Sequence, residues 1–142
     1  MSDIGMILTR LGGLFATEIA PALDGHYAGG KAGLAGLVTV MAGEAFEGAA
    51  DRLVREIDGM KALLTSGGDM EAGDIASTSL KLSDLQVARD ELAERLIALQ
   101  AGLEADQGPE ASALNTRIWA FLLAGAAERM PSPPVFADPD SD

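Results

Sequence analysis

Cysteine is absent from this chain. That removes thiol nucleophiles, thiolate metal sites and any disulfide framework, and it suits the reducing cytoplasm, where the protein is expected to reside. Histidine occurs once, at His26, so any imidazole chemistry has to use that residue. Aromatic residues make up 4% of the chain, and Val, Ile and Thr together number 18, against 25 Ala and 19 Leu. Ala and Leu lose little side-chain entropy in a helix, whereas β-branched and aromatic residues suit a sheet, so the chain is expected to be all-α. Basic residues are scarce: 10 Lys and Arg stand against 22 Asp and Glu, a net charge of −12. Neutralising phosphates requires the opposite balance, which argues against nucleic acid and against an anionic membrane as partners. Long apolar runs are missing too. The longest uncharged stretches, 32–43 and 118–127, fall short of the ~20 residues of a membrane span. The N-terminal segment carries Asp3, Arg10 and Glu18 where an export signal needs an apolar centre.

What is present is four helical patterns. A length of 142 residues fits one domain, expected over 1–130, with 131–142 read as a Pro-rich, disordered acidic tail. The first pattern, over 3–20, places Ile4, Ile7, Leu8, Leu11, Leu14, Phe15 and Ile19 on one face, and Pro21 should end or kink it. Residues 24–30 read as a loop. The second pattern, over 31–64, sets Leu34, Leu37, Val38, Met41, Leu53, Ile57, Met60 and Leu64 toward a core. Its early half is uncharged and should be covered on most sides, whereas its later half is charged on one side. Gly43, Gly48 and Gly59 leave room for a kink, and the glycines near Gly29, Gly33 and Gly36 allow a close helix neighbour. After a polar stretch over 65–79, Ser83 with Gln86 forms a capping-box pattern. The third helix then shows the clearest seam: Leu85, Ala88, Leu92, Leu96, Leu99 and Leu103. Gly108-Pro109 opens the fourth, with Leu114, Ile118, Phe121, Leu122 and Gly125 inward, and Pro131 closes it. Short loops between long amphipathic helices predict an antiparallel, up-down four-helix bundle with a long second helix.

Motifs for chemistry are few. Residues 25–31, from Gly25 through Gly30 to Lys31, satisfy the G-x-x-x-x-G-K phosphate-loop pattern, but Ala32 stands where a Mg²⁺-holding hydroxyl belongs, and Pro21 breaks the strand that should precede it. What survives is a candidate anion or ligand site of His26, Tyr27, Gly29, Gly30 and Lys31 at a helix start. His26 has no evident nucleophile beside it; Ser77, Thr78 and Ser79 read as loop hydroxyls. Glu44, Glu47 and Asp51 share a face but lack the Glu-x-x-His spacing of a di-iron bundle, so neither a metal nor another cofactor is expected, nor any catalytic residue. Arg117 and Trp119 flank Ile118 at the seam edge and form a candidate interface.

The run from Glu18 to Gly25, with the Ala-rich helix up to Glu44, and the stretches 92–102 and 114–130 resemble an uncharacterised family of small helical bacterial proteins. Genes of that family often lie beside acyl-CoA dehydrogenases and phosphotransferases, so the resemblance implies a link to acyl-CoA metabolism and assigns no catalytic residue. Together these features point to a non-enzymatic association or accessory protein, a homodimer with a metabolic enzyme as partner. A bundle binding an acyl or anionic small molecule is the alternative, and an enzyme using His26 the third reading.

Overall fold

The computed structural model describes residues 2–106 and 108–132. Their regular structure is helical throughout, as the composition predicts: α1 (Asp3–Leu14, continued by a π turn over Phe15–Ile19 and a short segment Ala20–Ala22), α2 (Tyr27–Glu47), α3 (Ala49–Ser66), α4 (Leu82–Ala105) and α5 (Pro109–Glu128), with a 3₁₀ turn over Met70–Asp74. The long second pattern is broken at Gly48, whose backbone (φ −94°, ψ 1°) leaves the helical region. The chain divides there into two compact units. One comprises residues 2–48 with 131–132, and the other is Ala49–Met130. The expected acidic tail beyond Ser132 lies outside the described residues. No helix among them is long and apolar enough to cross a membrane.

The first unit is a helical hairpin of α1 and α2. Ser2 caps α1 by accepting from the Gly5 N–H at 3.2 Å, and its own N–H and Oγ both donate to Glu47 at 2.7 Å, tying the start of α1 to the end of α2. Those bonds hold the Glu47 carboxyl below its ordinary range. The helical run continues through Pro21, where an end or a kink is expected, and carries a π turn just ahead of it. In the π turn the Ala20 N–H donates to the Phe15 carbonyl, which steps the pairing register just before the residue that lacks an N–H. The loop predicted over 24–30 is also shorter, because α2 already begins at Tyr27. His26 is its extended N-cap residue, and Gly25 takes the left-handed turn at φ +79°. Gly29 is helical and buried, where a Cβ would lie 2.8 Å from the Leu23 carbonyl oxygen.

The hairpin's inward face corrects the predicted core. Its buried positions are Gly5 and Gly12 on α1, and Gly29, Ala32, Gly36 and Gly43 on α2. Ile4, Ile7, Leu11 and Leu14, expected inside, are exposed, and so are Leu34 and Val38. Backbone meets backbone: a Cβ on Gly36 would lie 2.6 Å from the Gly12 carbonyl oxygen and 3.0 Å from the Ala16 nitrogen. Once glycines make the contact, the large side chains of the same helices have to point elsewhere. At 100° per residue, Leu34 and Val38 lie about 160° from Gly36, on the back of α2.

The second unit matches the sequence seams more closely. Leu85, Ala88, Leu92 and Leu96 of α4 are buried with Ile57, Met60 and Leu64 of α3 and Leu114 and Ile118 of α5. Ala72, carried by the 3₁₀ turn, is fully buried in the same core. Asp69 starts that turn by accepting from the Ala72 N–H and also pairs with Arg95 at 3.2 Å, which fastens the α3–α4 connection. Gly108 and Pro109 open α5 as predicted.

The cap of α4 differs from the expected box. The helix starts one residue before Ser83, at Leu82, so Ser83 is already inside the first turn. The turn is closed instead by Asp84, which accepts from Ser79 Oγ at 2.6 Å, while Ser79 Oγ accepts from the Lys81 N–H at 3.1 Å. The Ser79 bond, with smaller help from Ser83 and Thr78, lowers the Asp84 carboxyl from its ordinary value of 3.8. Its contribution to stability is therefore present above that value and lost as pH falls through the folded-state value. Asp84→Asn is expected to flatten the acid limb of the unfolding midpoint against pH below about 4, relative to the parent. A limb of unchanged steepness would show that the carboxylate does not brace this turn.

Candidate functional site

The residues singled out at the start of α2 are side by side but open to water. His26, Tyr27, Gly30 and Lys31 are exposed, and Gly29 is buried. Lys31 Nζ sits 4.7 Å from the centre of the Tyr27 ring, a cation–π pair one helical turn apart. The Gly29 N–H, one of the donors an anion would need, is taken by the His26 carbonyl at 3.0 Å. Thr78 and Ser79, read as loop hydroxyls, donate to Asp84 and so serve the α4 cap. Among the described residues no group of three or more His, Cys, Asp or Glu is placed to hold a metal ion.

Two arrangements stand out chemically. The first is the apolar exterior of the hairpin. Ile7 is 60% exposed, Leu34 61% and Val38 55%. On α1 the exposed Ile4, Ile7, Leu11 and Leu14 recur at steps of three, four and three, which is one continuous stripe. Trp119, of the candidate interface, is half exposed on α5, one turn from the exposed Leu123, and its neighbour Arg117 is exposed as well.

The second is an ion cluster inside the Ala49–Met130 unit that the sequence reading missed. Glu56, only 7% exposed, receives Arg89 Nε at 3.4 Å and Arg129 Nη2 at 2.5 Å. Arg89 Nη1 also donates to the exposed Asp90 at 3.0 Å. The Asp90 hydrogen bond, and next the Glu56 charge, raise the Arg89 guanidinium above its ordinary value, so it stays charged. A signal was available: Glu56 follows Leu53 by three positions and precedes Met60 by four, so it falls on the apolar stripe of α3. Removing this carboxylate would leave two guanidiniums facing each other. Glu56→Ala is expected to cost about 1–3 kcal/mol, a buried-pair penalty discounted because both arginines are partly solvated. Urea unfolding followed by Trp119 fluorescence measures it, and a change within about 0.5 kcal/mol would mean that the cluster is slack.

No protein-family model, no curated protein and no solved structure matches this chain. The likeness to the uncharacterised helical family thus rests on the residues quoted for it alone.

Proposed function

We propose that the protein works by association, as a non-enzymatic homodimer whose interface is the apolar back of α2. The observation that carries this reading is the exposure of Leu34 and Val38, one turn apart on a helix whose inner face is already filled by glycine. Contiguous apolar patches of more than a few hundred Å² are uncommon on monomers and mark interaction surfaces. A helix that is apolar on both sides is normally covered on both. In this reading two copies pair through the backs of their α2 helices. The Trp119–Leu123 patch then serves a different partner, for which the family resemblance suggests an enzyme of acyl-CoA metabolism, in the cytoplasm.

Sedimentation velocity over a dilution series tests the proposal. The parent chain should sediment as a dimer, and Leu34→Glu with Val38→Glu should convert it to a monomer of unchanged helix content. Trp119 emission should stay constant on dilution, since that side chain lies outside the proposed interface. A parent that is monomeric at every concentration, or a dimer indifferent to both substitutions, defeats the reading.

A further inference from the structure

The Glu56–Arg89–Arg129 cluster forms one wall of a cavity of about 220 Å³ where α3, α4 and α5 converge. The rest of the lining is mainly apolar, with Met60, Leu96, Phe121 and Leu122 prominent and Gln100 the other polar side chain. The same cluster also borders a more polar cavity that adds Arg52 and Gln86. We propose that the apolar cavity binds a short-chain amphipathic monocarboxylate, with the carboxylate on Arg89 and Arg129 and the alkyl chain against Met60, Leu96 and Phe121.

Three observations converge on that ligand class. The first is charge. Two guanidiniums share one buried carboxylate, and the further partner of Arg89, Asp90, is two-thirds exposed and screened by water. The buried side of the cluster therefore presents two guanidiniums and one carboxylate, with the balancing charge of Asp90 out in solvent, in a chain whose net charge is −12. The second is hydrogen-bonding capacity. Each guanidinium offers five N–H donors in a planar fork suited to a carboxylate. Among the described residues, Arg89 spends Nε and Nη1, and Arg129 spends Nη2. Arg129 Nη1 passes the Cβ position of Gly125, itself a lining residue, at 3.6 Å, so the guanidinium lies along the cavity wall. The third is size. At ~30 Å³ per water-sized group the cavity holds about seven heavy atoms, close to an acid of about six carbons. Stability alone gives no reason for the cluster, because well-packed apolar residues commonly do as well as or better than a buried ion group. Two anchored arginines beside an apolar hollow are instead what orienting a carboxylate requires.

Isothermal titration of the full chain with butanoate, hexanoate and octanoate tests this, with 1-hexanol and hexylamine as head-group controls. Hexanoate should bind one per chain. Affinity should rise about threefold to fourfold per added CH₂ from butanoate to hexanoate and level off once the cavity is full. Hexanol and hexylamine should bind at least roughly tenfold more weakly than hexanoate. Arg129→Met should lower hexanoate affinity by about the same factor and leave hexanol unaffected, whereas Gln86→Ala, in the polar cavity, should change it less than about twofold. Ala93→Phe fills the hollow and should abolish binding of hexanoate and of hexanol alike, which keeps the test sound if Arg129→Met fails to fold. Hexanol binding as tightly as hexanoate would reduce the cavity to an apolar hole and overturn the proposal. So would the absence of heat at millimolar hexanoate, or unchanged affinity in either cavity variant.

Discussion

Gly36→Ala is expected to destabilise the α1–α2 hairpin even though alanine is the better helix former. The substitution gains about 1 kcal/mol of intrinsic helix propensity. Against that, the new methyl would sit 2.6 Å from the Gly12 carbonyl oxygen and 3.0 Å from the Ala16 nitrogen, both backbone atoms that move only if the helices separate. Overpacking of this kind costs about 1–3 kcal/mol and more where the obstacle is rigid, so the net result should be a loss of ~2 kcal/mol. Amide hydrogen exchange reads it directly, as faster exchange across α1 and α2 with the amides of Ala49–Met130 unchanged. Gly13 and Gly30 have nothing within 4 Å of a built Cβ. Gly13→Ala and Gly30→Ala should therefore stabilise the same helices by up to about 1 kcal/mol. If Gly36→Ala behaves as those two do, the helices do not touch through their backbones.

Leu92→Ala should produce the largest loss in the other unit. Leu92 is fully buried at the centre of the α4 seam, packed in the cluster that includes Leu64, Leu85 and Ile118. Truncation removes the transfer free energy of the deleted methyls and leaves a cavity that the surrounding helices fill only in part, together about 3–4 kcal/mol. A fall in urea midpoint with an unchanged m-value is the expected signature, followed through Trp119, the chain's only tryptophan. Val87 and Ile97 lie on the same helix but are about 70% and 68% exposed. Truncating either to Ala should change stability by less than about 0.5 kcal/mol. A loss below about 1 kcal/mol for Leu92→Ala would mean that α4 presents a different face to the core.

The contrast between these two predictions also marks what could be read from the sequence. On α4, bulky leucines alternate with charged residues, so side-chain size and polarity report the same inner face, and Leu85, Ala88, Leu92 and Leu96 are buried as their spacing predicts. On α1 and α2 the two signals part company. The inner face carries the smallest residues and the outer face the large apolar ones, and a rule that seeks large apolar residues at helical spacing points to the wrong side. The spacing itself was legible, since Gly5 and Gly12 are seven residues apart, and so are Gly29, Gly36 and Gly43. A seven-residue repeat returns to nearly the same face of a helix. Read as contacts and not as weak points, these glycines give the hairpin. The break at Gly48 was visible only as one of the three glycines that left room for a kink. The pairing of Glu56 with Arg89 and Arg129 joins residues 33 and 73 positions apart, which local periodicity does not reach.

The glycine seam has a consequence for how this hairpin can diverge. Folding of the pair depends on positions where any added atom collides, so those sites admit almost no variation. What the pair displays to the outside is written in a separate set of residues, Ile7, Leu34 and Val38 among them, which make no part of the seam. Recognition can therefore drift or be rewritten, one outward side chain at a time, while the scaffold that carries it stays the same.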